Sequence, residues 1–417
     1  VMEWKRIKLG ELCRIELGKT PSRSNKSYWD ESKVNNNIWL SIADLPLSDK
    51  SIMLDSKEYI SNAGAELCKI VPKGTLIVSF KLSLGRLAVT GRDLYTNEAI
   101  AALYIHDKQK IDQNYLSWYL TFFDWDAAAG SDIKVKGKTL NKAKLKEIEI
   151  VVPPIPEQKR IVAILDQVFA DIEQARAKTE QNLKNARELF ESYLQQVFSQ
   201  RGGGWVESTL GEVTGGIYTG PFGSLLHKSD YIENGIPLVN PAHITALGIE
   251  VDNRKTVSKE TAERLSSYIM EKGDVVIGRR GEMGRCALVT SQESGFLCGT
   301  GSFFIKSSSR CDSGYLVRYL RSASCVARLE KIAGGAVMPN LSNKDLSNFA
   351  ILLPPIEKQI EILELIDILS EETEKVALTY QKKLDSLDEL KKSILQKAFS
   401  GKLTKTLEVD TNKGAVA

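Results

Sequence analysis

Two hydrophobic patterns run along this chain, and each occurs twice. The first is a set of short apolar runs punctuated by Gly, Pro, Ser and Asn: TLIVSF (75–80), AIAALYI (99–105), IEIVV (148–152), DVVIG (274–278) and FAILL (349–353). Runs of this length and punctuation predict strands. The segments Tyr115–Phe123 and Tyr315–Ala323 read as short helices. The second pattern is a long 3-4 repeat. Pro153-Pro154 and Pro354-Pro355 close a strand and open a helix, since proline suits a first turn and not an interior. Beyond Pro156 no Pro or Gly intervenes before Gly202, and beyond Pro355 none before Gly401. The first predicted seam is Leu165, Val168, Ile172, Ala175, Thr179, Ala186, Leu189 and Tyr193, with a skipped turn at Asn182 and Leu183. The second is Ile366, Leu369, Thr373, Val376, Tyr380, Leu387, Leu390 and Ile394, with a skip at Lys383 and Leu384. Charged residues such as Glu173, Arg176, Glu374 and Lys375 flank these seams, as in a coiled coil. About 43 helical residues span roughly 65 Å, more than the width of a small domain.

The patterns recur because the sequence is duplicated. WKRIKLGEL (4–12) matches WVESTLGEV (205–213) at an offset of about 201 residues. Gly74, Gly85, Arg86 and Ala88 match Gly273, Gly284, Arg285 and Ala287, and Tyr115 and Tyr119 match Tyr315 and Tyr319. LNKAKLKEIEIVVPPIPEQKRI (140–161) lies over LSNKDLSNFAILLPPIEKQIEI (341–362) without a gap, and the match continues to ESYLQQVFSQ (191–200) over KSILQKAFSG (392–401). A period this long denotes a duplicated domain, not a solenoid.

Two copies of one unit associate most simply about a twofold axis, which makes the paired helices antiparallel. The expected fold is α+β: two pseudo-twofold-related α/β modules separated by two long antiparallel coiled-coil helices. The expected boundaries are 1–152 for the first module, 153–201 for the first long helix, 202–353 for the second module, 354–403 for the second helix and 404–417 for a disordered tail. Two unlike modules at the ends of a rod suit two unlike DNA half-sites about one helical turn apart.

Composition narrows the class. A hydrophobic content of 42% and a charged content of 26% are those of a soluble globular protein. No stretch approaches the ~20 apolar residues of a membrane helix, and the start lacks the apolar core of a secretory signal. Six scattered cysteines without a CxxC pair, and only three histidines, fit buried thiols in a reducing cytoplasm better than a metal site. A net charge of +3 is modest for a DNA binder. Positive charge must then be concentrated on a few loops or supplied by partners.

At LGEL…GKTPSR (9–23), PPIPEQKRI (153–161), PPIEKQIEI (354–362) and FSGKLTK (399–405), the sequence resembles the specificity (S) subunits of type I restriction-modification enzymes over residues 2–403. The resemblance implies a non-catalytic recognition subunit for double-stranded DNA. It implies that residues 1–152 and 202–353 are target-recognition domains and that the two helices set the spacer and dock two modification (methyltransferase) subunits, joined by restriction subunits with ATP-dependent nuclease and translocase activity. Any cofactors belong to those partners: S-adenosylmethionine for methylation, ATP and Mg for restriction. Where the first copy has GKTPS (18–22) the second has TGPFGS (219–224), so the second loop is expected to contact DNA differently.

Candidate DNA contacts follow. Gly18-Lys19-Thr20 is not a P-loop, because Cys13 stands where the first glycine belongs. Lys19, Thr20, Ser22 and Arg23 lie on a Pro-stiffened turn, with Thr219, Phe222 and Ser224 in the second copy. Lys81, Ser83 and Arg86, and Arg279, Arg280 and Arg285, lie on glycine turns after a strand. Arginine reads guanine bidentately, which favours Arg279 and Arg280, whereas Arg86 and Arg285, present in both copies, also suit bracing of the turn. Lys134, Lys136 and Lys138 precede Leu140 and suit phosphate; Met338 and Asn340 hold the matching place in the second copy. His227 is a further candidate. Each has a bland alternative, a solvated surface turn. The sequence has no methyltransferase Asn-Pro-Pro-Tyr motif, since NPAH (240–243) lacks the second proline and the aromatic, and no Gly-rich cofactor fingerprint. Two other readings stay open: a type IIB-like modification complex, and a protein-interaction scaffold.

Overall fold

The computed structural model describes residues 4–46, 51–130, 133–134, 137–199, 202–334 and 339–404, with backbone alone for 133–134 and 137–138. Lys136 and Met338 therefore lie outside the described residues, as does all of the expected tail except Thr404. The chain divides into two compact units: Val1–Thr179 with Lys383–Ala417, and Glu180–Lys382.

The first unit is built on a five-stranded sheet in the order Cys13–Leu17, Ile100–Ile105, Leu76–Ser79, Leu87–Thr90, Ser51–Met53. The predicted runs TLIVSF and AIAALYI supply two central strands. They read as nearly continuous apolar runs because both faces of the sheet are covered. Leu76, Val78, Ala101 and Leu103 face a core shared with Tyr115, Leu116 and Leu120 of helix Gln113–Phe122. Ile77, Ala88, Ile100 and Ala102 face a second core closed by Ile38, Leu40 and Leu45. A three-stranded sheet, Glu58–Ile60, Asn37–Leu40, Tyr95–Thr96, lies alongside.

The second unit repeats the plan. Its main sheet runs Ile217–Thr219, Ser302–Ile305, Val275–Gly278, Cys286–Leu288. Val275, Ile277, Phe303 and Ile305 pack on Tyr315, Leu316 and Leu320, while Val276, Ala287 and Phe304 face the opposite core. The fold is thus a mixed α and β module present twice, with two long helices, Ile155–Ser199 and Ile356–Phe399.

Each long helix is fixed at its start by a glutamine. Gln158 is fully buried; its Oε1 accepts from the Asp112 N–H at 2.8 Å, and its Nε2 donates to the carbonyls of Lys110 at 2.9 Å and Pro153 at 2.7 Å. Gln359 makes the matching three bonds with Asp312, Arg310 and Pro354. Each helix is fixed at its end by a phenylalanine. Phe399 packs edge-on to Tyr115 and Tyr119 in the first unit. Phe198 packs edge-on to Tyr315 and Tyr319 in the second. Within the first unit the start of one helix and the end of the other run antiparallel, joined by the ion pairs Glu173–Lys391 and Arg176–Asp388. Leu403 packs on this unit's core and Thr404 is buried.

The helix seam differs from the predicted one at the skipped turns. Leu384 is buried and Leu183 half-buried, whereas Leu189, Val376 and Leu390 are exposed. The inward stripe runs 172, 176, 179, 183, 186, 190, 193, 197 in one helix and 366, 370, 373, 377, 380, 384, 387, 391, 394, 398 in the other. Alternating steps of three and four are the 3.5-residue period of a supercoiled pair. Holding that period brings Leu183 and Leu384 inward and turns out the leucines that a simple apolar count selects.

Candidate nucleic-acid interface

The strand registers bring the predicted residues to one end of each main sheet. In the first unit Leu17 pairs with Ala101, Ser79 with Ile100 and Val78 with Leu87. The turn after Leu17, the turn before Ile100 and the turn 80–86 therefore share an end. Thr139 joins them through a bridge to Lys81. In the second unit Thr219 pairs with Phe303, Gly278 with Ser302 and Ile277 with Cys286, and Asn340 bridges Arg280. The matching of Thr139 and Asn340 was legible in the ungapped alignment that follows them.

The loop after the first strand is held close to its neighbour. A Cβ on Gly18 would lie 2.0 Å from the Thr96 carbonyl, and one on Gly220 2.0 Å from the Gly299 carbonyl, so only glycine fits either place. Lys19 donates its N–H to Thr96 O at 2.8 Å, and its carbonyl accepts from Trp39 Nε1 at 3.0 Å, which leaves the Lys19 side chain exposed. The Thr20 hydroxyl is paired with Glu98. Ser22 is exposed and hydrogen-bonded to Ser24 at 2.9 Å. Arg23 forms a forked pair with Glu58, the longer bond at 2.9 Å, and its guanidinium stacks 4.1 Å from the Trp29 ring centroid. The Glu58 carboxylate raises the Arg23 pKa above its ordinary value. Sequence reasoning missed Glu58 and Glu98, because nothing local links them to residues 35 and 78 positions away.

The glycine turns carry the clearest resemblance between copies. Ser79 donates its N–H to Arg86 O at 2.9 Å, and Gly278 donates to Arg285 O at 2.8 Å. Arg86 Nη1 donates to the carbonyls of Ile42 at 3.3 Å and Leu45 at 3.1 Å. Arg285 donates to the Pro241 carbonyl at 3.3 Å and pairs with Glu282. Both guanidiniums thus brace their turns against the neighbouring loop. Lys81 lies 5.2 Å over the Phe80 ring, and the Ser83 carbonyl accepts from Ser79 Oγ.

The matching place in the second unit holds two arginines. Arg280 is exposed, with Nε donating to Asn340 Oδ1 at 3.3 Å. Arg279 is half-buried over the Phe303 ring, and its Nε is enclosed with no hydrogen-bond partner among the described residues. Burial, and next the adjacent Arg280 charge, lower the Arg279 pKa from its ordinary value. Both effects disfavour the cation where it stands, and an anionic or acceptor-rich ligand would relieve them.

Thr219 is half-buried, while Phe222, Ser224 and His227 are exposed on the following loop. His227 donates its backbone N–H to Asp230 at 2.7 Å. His243 is buried, its Nδ1 2.8 Å from Leu238 O, and holds the strand end. Lys134 and Lys138 fall on a short antiparallel pair, described in backbone only. Among the described residues no group of three His, Cys, Asp or Glu could hold a metal ion, and no helix is long and apolar enough to cross a membrane.

Comparisons with known proteins agree with this duplication. The model of the type I restriction modification DNA specificity domain matches residues 2–183 and again 203–385. The type I restriction enzyme MjaIX specificity subunit of Methanocaldococcus jannaschii is 23% identical, over 96% of this chain and 94% of that protein. The crystal structure of the HsdS subunit from Thermoanaerobacter tengcongensis superposes with a TM-score of 0.63 at 20% identity, covering 96% of this chain and 98% of that one. A chain solved in work on complex assembly and conformational transition of the type I R-M system gives 0.74 at 20% identity, over 97% and 99%. At that identity the structures speak for the fold. The family match in two copies goes further, and this chain belongs to the type I restriction modification DNA specificity family.

Proposed function

We propose that this chain is the DNA sequence-specificity subunit of a type I restriction-modification system. It reads a bipartite, asymmetric target of two different half-sites separated by a fixed, unread spacer. It performs no chemistry itself. The observation that carries this reading is the pair of matched glycine turns, whose braces are alike and whose outward residues differ. Arg86 and Arg285 hold both turns in the same way, whereas Lys81 stands where the second copy has the exposed Arg280, and the buried Phe80 stands where it has the half-buried Arg279. One scaffold with unlike readers suits two unlike half-sites.

The long helices would set the spacer and dock two methyltransferase subunits, to which restriction subunits add. Leu365, Ile368 and Val376 are exposed along one side of the second helix, an apolar stripe that a partner helix would cover. S-adenosylmethionine would belong to the modification partner, and ATP and Mg to the restriction partner. The contacts proposed are Lys19, Ser22, Lys81, Lys134, Lys138, Phe222, Ser224, His227, Arg279, Arg280 and Asn340. Thr20, Arg23, Ser83, Arg86, Thr219 and Arg285 shape the loops that carry them.

A filter-binding titration of the chain with its modification partner tests this. Binding should be specific and weaken with salt, log K falling by about 0.9 per phosphate neutralised for each unit of log salt. Absence of affinity for any duplex would overturn it.

A further inference from the structure

The duplication supplies an internal control for each residue of the recognition turns, and one position departs from it. Gly281 takes a left-handed backbone, φ 81°, in the second turn. The matching residue of the first turn is Leu82, which adopts the same conformation with φ 65°. Leucine is strained there and glycine is not. The turn itself does not require the side chain, since the second copy closes without one. The strain is not offset by burial either, because Leu82 is 48% exposed. Strain held by a surrounding structure at a surface position points to use of the side chain.

The position fits such a use. Leu82 lies between Lys81 and Ser83 at the sheet end that gathers Lys19 and Thr139. It lines a pocket with Leu84, Phe123, Asp124, Trp125 and Asp126. An alkyl side chain has no donor for a phosphate oxygen, so the leucine's partner is the apolar part of a base edge and not the backbone.

We propose that Leu82 is a specificity-determining residue of the first module, packing on the C5-methyl group of a thymine in the major groove, the apolar feature by which that base is read. This rests on the DNA-reading function proposed above.

The test uses the full chain with its modification partner and duplexes of its methylated target, each thymine replaced in turn by deoxyuridine. For the unaltered chain, one replacement in one half-site should weaken binding about fourfold, the effect of one buried methyl group. Leu82→Gly should bind the all-thymine target weaker by a similar factor and lose nothing further on that replacement. Leu82→Met should restore the discrimination. Leu82→Gly should also unfold thermally no earlier than the parent, whereas a residue needed for packing would lower the transition. The inference is overturned if Leu82→Gly binds as the parent does, or if every deoxyuridine costs both proteins alike. If the parent itself fails to prefer the target over an unrelated duplex, the fault lies with the proposed function instead.

Discussion

Gln158 and Gln359 show how much one buried side chain can fix. Each satisfies three backbone groups at the joint between sheet and long helix. Replacing Gln158 by Leu removes the partner of an N–H and two carbonyls, of which that of Pro153 is buried, and should lower stability in urea unfolding by about 2–4 kcal/mol. Gln359→Leu should cost a similar amount. The thiols offer a second residue-scale expectation. Burial pushes Cys13, Cys286, Cys311 and Cys325 up to about 12 and raises Cys298 as well. Native-state alkylation at pH 8 should therefore label Cys68, which is only half-buried, and spare the other five. The sequence disclosed the glutamines only as identical letters in an aligned motif. Their role needed coordinates, because the groups they bond lie up to 49 residues away. The same distance concealed the Arg23–Glu58 pair.

At the scale of elements, strands and helices were largely legible. TLIVSF, AIAALYI, DVVIG and FAILL are strands, and Pro153-Pro154 and Pro354-Pro355 precede the long helices. Short strands such as Asn37–Leu40 and Glu58–Ile60 escaped, since neither carries a long apolar run. The helix seam was misread at Leu189 and Leu390, where apolar identity outweighed the heptad period. Phe198 and Phe399 close the aromatic clusters that receive the helix ends, and truncation of either to Ala should cost about 3–5 kcal/mol. Hydrogen exchange would locate the loss: Phe399→Ala should expose the first unit's helix Gln113–Phe122, and Phe198→Ala the second unit's Ser313–Arg321.

At the scale of the molecule, the duplication is what made the architecture and the family legible. Two copies of one module with unlike loops are what the proposal of two unlike half-sites rests on. The partners of the loop side chains were not legible, because loop residues are not fixed by the hydrophobic pattern that fixes the sheets. Arg279→Ala with Arg280→Ala should relax one half-site and leave the other unchanged, scored by methylation of a randomised target library. Seven residues inserted at matched points in both long helices should lengthen the unread spacer by about three base pairs, from a rise of about 10 Å, with both half-sites retained.

Methylome sequencing of cells expressing this chain with its modification partner tests the central claim most directly. The account predicts one motif with two unlike blocks held at a single fixed separation. A contiguous motif, a palindrome, or no sequence-specific methylation would contradict it.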